Sequence, residues 1–265
     1  LSMELVRSFQ DLRVGYIVLG AVFGAFFALP YIMTFLTTWE PRDRPAPPPV
    51  PTVKEFVREN FAEPFALKPF RQISIIYLAT FVAQDAIMAL VIYFMTYYLG
   101  NASLMTPLLG VVYGTIIVAI PLAGVLAQRV GKRTTYMIAG VLWITAFLYT
   151  IFIRPEFPNW TVFVFGIVFG FALGGTQVMV MAIFPDIPDV DELLNGVRRE
   201  GVFSGLFAFL RKSSSALALF LISLILEAAG YLPPVEEMVD GVLVNVEQAQ
   251  TASFIITLRT IFVAI

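Results

Sequence analysis

Long apolar runs separated by short polar ones dominate the chain. Six runs approach or exceed the roughly 20 apolar residues that a helix needs to cross the hydrocarbon of a bilayer. They are Val14–Leu36, interrupted by Pro30, Ile73–Leu99, Pro107–Ala127 with Pro121 inside, Thr135–Ile153, Trp160–Phe184 and Val202–Ala229. They are too long and too uniformly apolar for barrel strands, which alternate over about 10 residues, so helices are the expected spanning form. The closing run FIITLRTIFVAI is shorter and reads as the start of one more helix, truncated as the opening of the chain at Leu1 also reads. The pattern predicts an all-α, polytopic membrane helix bundle.

Loop charges orient it. Arg42, Arg44, Lys54, Arg58, Lys68 and Arg71 follow the first run, Arg129, Lys132 and Arg133 the third, and Arg198 and Arg199 the fifth. The alternate loops are nearly free of basic residues, and the segment Tyr231–Thr251 carries only acidic charge, at Glu236, Glu237, Asp240 and Glu247. Basic loops stay on the cytoplasmic side, which puts Tyr231–Thr251 outside. Arg7 and Arg13 run mildly against this orientation. The first basic segment opens with PRDRPAPPPVP, which favours extended polyproline conformation. Thr52 and Glu55 then form a capping box, and Val53, Phe56, Val57 and Phe61 fall on one face of the helix that follows. A short amphipathic helix on the inner membrane surface is expected, with a solvated tether as the alternative.

Composition narrows the function. Hydrophobic residues make up 58% and charged residues 14%, against about 25% charged in soluble domains. A net charge of -2 gives no footprint for nucleic acid. With no cysteine there is no disulfide or thiolate metal site, and with no histidine the commonest base, metal ligand and proton relay is missing. No phosphate-binding loop or nucleophile–base pair is present, so neither an enzyme nor a bound cofactor is expected.

Ionisable groups inside hydrocarbon therefore stand out, since each costs at least about 2.5 kcal/mol. Asp85, beside Gln84, lies near the middle of its run, where a short side chain cannot reach water. It is read either as a hydrogen-bond partner for a neighbouring helix or as a cavity-facing group for a substrate or ion. Arg211 and Lys212 lie deep in the last long run and point about 100° apart. Arg211 is expected to snorkel to the cytoplasmic interface. Lys212 is expected to face a central cavity with Asp85, directly paired or bridged, with Gln177 close by. The alternative is an inward-snorkelling Lys212 and a neutral Asp85. Gly166, Gly170 and Gly174, with Gly175 adjacent, form a ridge on which another helix can pack closely. Asp189, Asp191 and Glu192 precede Arg198 and Arg199. If that segment is helical, Asp191 and Glu192 reach toward Asn195 and Arg199.

Two motifs add a resemblance. GVLAQRVGKR, Gly124 to Arg133, resembles the loop motif G-x-L-a-D-R-x-G-R-R of the major facilitator superfamily, with Gln128 in place of the usual aspartate. The stretch Pro188 to Tyr231 resembles the region between the tenth and eleventh helices of the glycoside–pentoside–hexuronide:cation symporters, the melibiose-permease family. The pattern D-x-x-E-x-x-x-x-x-R-x-E falls on Asp189, Glu192, Arg198 and Glu200, and the family's intramembrane lysine falls on Lys212. WEPRDRP resembles the end of the sixth helix. The resemblance implies that residues 1–40 end an amino-terminal half, 41–72 form a cytoplasmic Pro-rich linker and 73–265 form most of a carboxyl-terminal helix bundle.

It also implies a secondary transporter that carries a sugar or related small solute with sodium or protons by alternating access, in the plasma or inner membrane. Asp85, Gln84, Gln177 and Lys212 would line the pathway, and Asp189, Glu192, Arg198, Glu200, Arg129 and Arg133 would form a cytoplasmic gate. The partners would be the solute, membrane lipids and the missing amino-terminal half, which would hold most of the coupling-cation site. Two rivals stay open: the same fold carrying a lysolipid or other amphiphile, and a membrane sensor or scaffold that transports nothing.

Overall fold

The computed structural model describes residues 9, 11–39, 52–196, 199–239, 242–246 and 248–264. They divide into two units, which are taken separately. The first holds one helix, α1 (Leu12–Thr37), whose start is capped by Asp11, its Oδ1 accepting from the Arg13 amide at 2.9 Å. Pro30 lies inside it.

The second unit begins with α2, a segment made of Val53–Val57, a π-helical turn Arg58–Ala62 and Glu63–Ala66. The capping box is present: the Glu55 amide donates to Thr52 Oγ1, and the Thr52 amide donates to Glu55 Oε2 at 2.8 Å. Val53, Phe56, Val57 and Phe61 are all exposed. Then come α3 (Lys68–Tyr93, running on into a π-helical turn Phe94–Tyr98), α4 (Met105–Val130), α5 (Lys132–Thr150), α6 (Trp160–Ile183), α7 (Asp186–Asn195), α8 (Glu200–Ala228) and α9 (Ala252–Ala264). Gly131, at φ 85°, makes the sharp break between α4 and α5.

Five helical stretches among the described residues are long and apolar enough to span a membrane. Helix α5, Lys132–Thr150, covers most of the run 135–153 but is more polar, because it opens on Lys132, Arg133, Thr134 and Thr135 and also holds Thr145 and Thr150. The segment after α8 holds a feature that the all-α reading did not foresee. Strands β1 (Val235–Val239) and β2 (Val242–Val246) pair antiparallel, Val235 opposite Val246. This small hairpin is an appendage and leaves the helix bundle as the fold.

Within the bundle α4 packs on α6, α5 on α6, and α3 on α8. The glycine ridge explains the first contact. A Cβ on Gly170 would stand 2.8 Å from the Val112 carbonyl oxygen, and one on Gly174 would stand 2.9 Å from Ala119 Cβ. Gly175 does the same for α5, with Ala139 Cβ at 2.9 Å. Aromatic rings fill the outer part of the core, where Phe262 of α9 stacks on Phe94 at 4.4 Å and meets Phe147 and Phe165.

Candidate functional site

An aromatic ladder sets α3 against α8. Phe70 meets Phe203 at 5.2 Å and Phe207 at 5.7 Å, and Tyr77 meets Phe207 at 4.9 Å. The buried stripe of α8 runs through Phe203, Leu206, Phe207, Ser214 and Ala218. Helical periodicity puts residue 211 on that stripe and turns 212 away by about 100°.

The result corrects the expected pairing. Asp85 meets Arg211, not Lys212. Arg211 donates from Nη1 to Asp85 Oδ2 at 2.6 Å and from Nη2 to Oδ1 at 3.0 Å, a two-pronged bond. The guanidinium carbon also sits 4.6 Å from the centre of the Phe81 ring. The Asp85 side chain is 16% exposed and that of Arg211 35%. Arg211 therefore does not snorkel to the cytoplasmic interface. An Arg fork matches both carboxylate oxygens, which a lysine ammonium cannot do, and the ring supports its flat face. Lys212 is exposed and has no ion pair or hydrogen bond among the described residues.

Gln84 and Gln177 are half-buried, and neither hydrogen-bonds to the pair. Gln84 Oε1 is buried without a partner. Behind this layer lies a cavity of about 240 Å³ between α3, α5 and α6, lined by Thr80, Ala83, Tyr136, Gly140, Trp143 and Thr176. Thr80 and Tyr136 share a hydrogen bond at 2.7 Å, while Trp143 Nε1 is buried and unbonded. Nothing in the sequence signalled this largely apolar pocket, because its groups come from helices distant in the chain and each looks like an ordinary apolar-run residue.

The end of the bundle that holds α2 and the α4–α5 turn is tied by two networks. In the first, Lys132 donates to both Asp186 carboxylate oxygens, at 2.9 and 2.7 Å, and to the Ala182 carbonyl at 2.9 Å. It joins the start of α5 to the junction of α6 and α7. Arg129 and Arg133 are exposed and without an ion pair among the described residues. Lys132 is the one basic residue of that loop that reaches the exposed carbonyls at the end of α6.

In the second network Arg199 is central. It pairs with Glu63 Oε2 at 2.6 Å, donates to the Glu59 carbonyl at 3.1 Å and lies 3.4 Å from Asp191 Oδ2. Asn195 donates to Asp191 Oδ1 at 2.7 Å, and Asp191 is only 1% exposed. The segment is helical as expected, and Asp191 does reach Asn195 and Arg199. Asp189, Glu192 and Glu200 are exposed around it, and Arg198 lies outside the described residues. The network fastens the amphipathic segment α2 to the bundle.

Two carboxylates of α2 gain from this. The Thr52 amide and hydroxyl hold the Glu55 carboxyl below its ordinary value of 4.5. Burial opposes the charge on Glu63, but the hydrogen bond from Arg58 and the charge of Arg199 outweigh it and also lower it from 4.5. Depressed carboxylates stabilise the fold above their unfolded value and lose that contribution as pH falls through the folded one. We expect hydrogen exchange in residues 53–66, corrected for intrinsic rates, to rise as pH drops below 4.5 while the core of α6 stays protected. An α2 that is unresponsive over that range would contradict these contacts.

A bundle with five described helices long and apolar enough to span a bilayer defines an integral, multi-pass membrane protein. Residues 2–265 match the family described as MFS/sugar transport protein, and the chain belongs to that family. It is 28% identical over 169 residues to an uncharacterised symporter of Synechocystis, which covers 63% of this chain and 31% of that protein. It is 28% identical over 180 residues to a putative sulfoquinovose importer of Escherichia coli, covering 68% and 38%, and 27% identical over 198 residues to a glucuronide carrier protein homolog of the same bacterium, covering 73% and 39%. The chain thus spans between about a third and two fifths of the length of these relatives.

Proposed function

We infer that this chain supplies the carboxyl-terminal half of a secondary active transporter that carries a sugar-sized solute together with sodium or protons. Residues 1–40 would close the amino-terminal half, 41–72 would link the halves on the cytoplasmic side, and 73–265 would form the bundle. The observation that supports the reading is the Asp85–Arg211 pair, which lies midway along two helices long enough to span a membrane, as a solute layer between two halves would. Names of relatives that include symporters, a sulfoquinovose importer and a glucuronide carrier support a sugar or sugar-acid cargo and cation coupling. Lys212, Gln84 and Gln177 would complete the pathway, and the Arg199 and Lys132 networks would brace its cytoplasmic side. No covalent chemistry is required: one half rocks against the other, and the solute meets each side in turn.

The test is uptake by the purified intact carrier in proteoliposomes. An imposed sodium or proton gradient is expected to accumulate labelled solute several-fold above equilibrium, and a matching ionophore to abolish it. Failure of both gradients to drive uptake of any sugar or sugar acid would sink the reading.

A further inference from the structure

Helices α4, α5 and α6 build an apolar groove that takes no residue from the Asp85–Arg211 pair. It is a cavity of about 110 Å³ walled by Leu122 and Leu126 of α4, Ile138 and Leu142 of α5, and Phe171 and Gly175 of α6, among others. Thr135 also borders it, but its hydroxyl donates to the Gly131 carbonyl at 3.0 Å, so the wall offers no free polar side chain. Leu122 and Ile138 are exposed, which leaves the groove open along one side. An apolar cavity without polar partners stays dry and takes hydrocarbon. Acyl chains are the hydrocarbon within reach, because the spanning helices set this bundle in a bilayer.

The depth of the groove matches such a chain. Its walls use residues 119–126 of α4 and 135–142 of α5, which lie between about 5 and 16 Å from the α4–α5 turn on both helices. Arg129 follows Leu122 and Leu126 on the same face of α4, at the turn end of the groove. No acidic residue occurs between Gly124 and Tyr136, and Lys132 is committed to Asp186. Arg129 is exposed and without an ion pair among the described residues. A guanidinium fork matches the oxygens of a phosphate, so an apolar channel with Arg129 at its end has the polarity of a phospholipid. Arg133 falls about 200° around α5 from Thr135, on the opposite face, and is not part of the site.

We propose that this groove is a site for an anionic phospholipid, with one acyl chain lying between α4, α5 and α6 and the phosphate held by Arg129. The site needs only the membrane setting and stands apart from the transport reading.

The experiment uses the intact carrier in detergent with a trace of phosphatidylglycerol that bears a diazirine on its acyl chain. After illumination, mass spectrometry locates the crosslinks. Label is expected on residues 119–126 and 135–142. Unlabelled phosphatidylglycerol is expected to displace it about tenfold more effectively than phosphatidylcholine with the same chains, the scale set by charge at a membrane surface. Ile75, exposed and about 10 Å into α3, is the reference for general lipid contact, and label there should show no such preference. Arg129→Gln should abolish the preference in the groove, whereas Arg133→Gln should keep it. Unchanged label at Ile75 in both variants establishes that they fold. Absence of label in the groove would mean that another part of the protein covers it, and would overturn the site. Equal displacement by the two lipids, or equal losses for the two arginine variants, would reduce it to general lipid contact or diffuse surface charge and overturn it as well.

Discussion

Replacing Arg211 by glutamine is expected to lower the stability of the bundle by about 3 kcal/mol, since it strands Asp85 without its partner in low dielectric. The Asp85 side chain is only 16% exposed and both of its oxygens bond to Arg211, so water cannot readily replace what is lost. Asp85→Ala should cost a similar amount, because it leaves the Arg211 charge over Phe81 without a counterion. The double replacement Asp85→Ala with Arg211→Gln should cost much less than the sum, since either single change already breaks the pair and the second removes the stranded partner. Thermal unfolding of the four proteins in one detergent gives the coupling energy. Additive effects would mean that the two side chains do not stabilise each other.

The second large effect concerns packing. Gly170→Leu should destabilise by about 3 kcal/mol, the upper range for overpacking, because its first side-chain carbon alone meets backbone. That carbon would stand 2.8 Å from the Val112 carbonyl oxygen and 2.7 Å from Thr115 Cβ. The carbonyl is fixed in α4 and cannot rotate aside, so α4 and α6 must separate. Gly110→Ala on α4 is the control: nothing lies within 4 Å of the added carbon, and a change within about 1 kcal/mol, toward greater helix stability, is expected. Equal melting temperatures for the two variants would refute the close approach.

The bundle was legible because membrane helices announce themselves by length and apolarity, and the glycine ridge because a four-residue spacing has one geometric meaning. The capping box at Thr52 and the helical acidic segment before Gly196 were legible for the same local reason. What sequence could not fix was helix rotation. Arg211 and Lys212 differ by one position, and their roles depend on which face of α8 meets α3. Phe203, Phe207, Ser214 and Ala218 carried that signal, since their spacing places residue 211 on the buried stripe. Lys132 was similarly hidden among three basic neighbours, because only the three-dimensional end of α6 distinguishes it from Arg129 and Arg133. The pocket around Trp143 left no local pattern to read, whereas the β1–β2 hairpin did: Asp240-Gly241 between two valine-rich runs is a two-residue hairpin signal that the all-α reading passed over.

The central claim is that the face of α8 beside Lys212 borders a pathway that opens to each side of the membrane in turn. The most direct measurement places a single cysteine at Ser215 in an intact carrier cleared of other cysteines. An impermeant thiol reagent is then applied to right-side-out and to inside-out vesicles. Labelling is expected from both sides, with solute or a cation gradient raising one rate as it lowers the other. A cysteine that reacts from one side only under every condition, or from neither, would contradict alternating access at this layer.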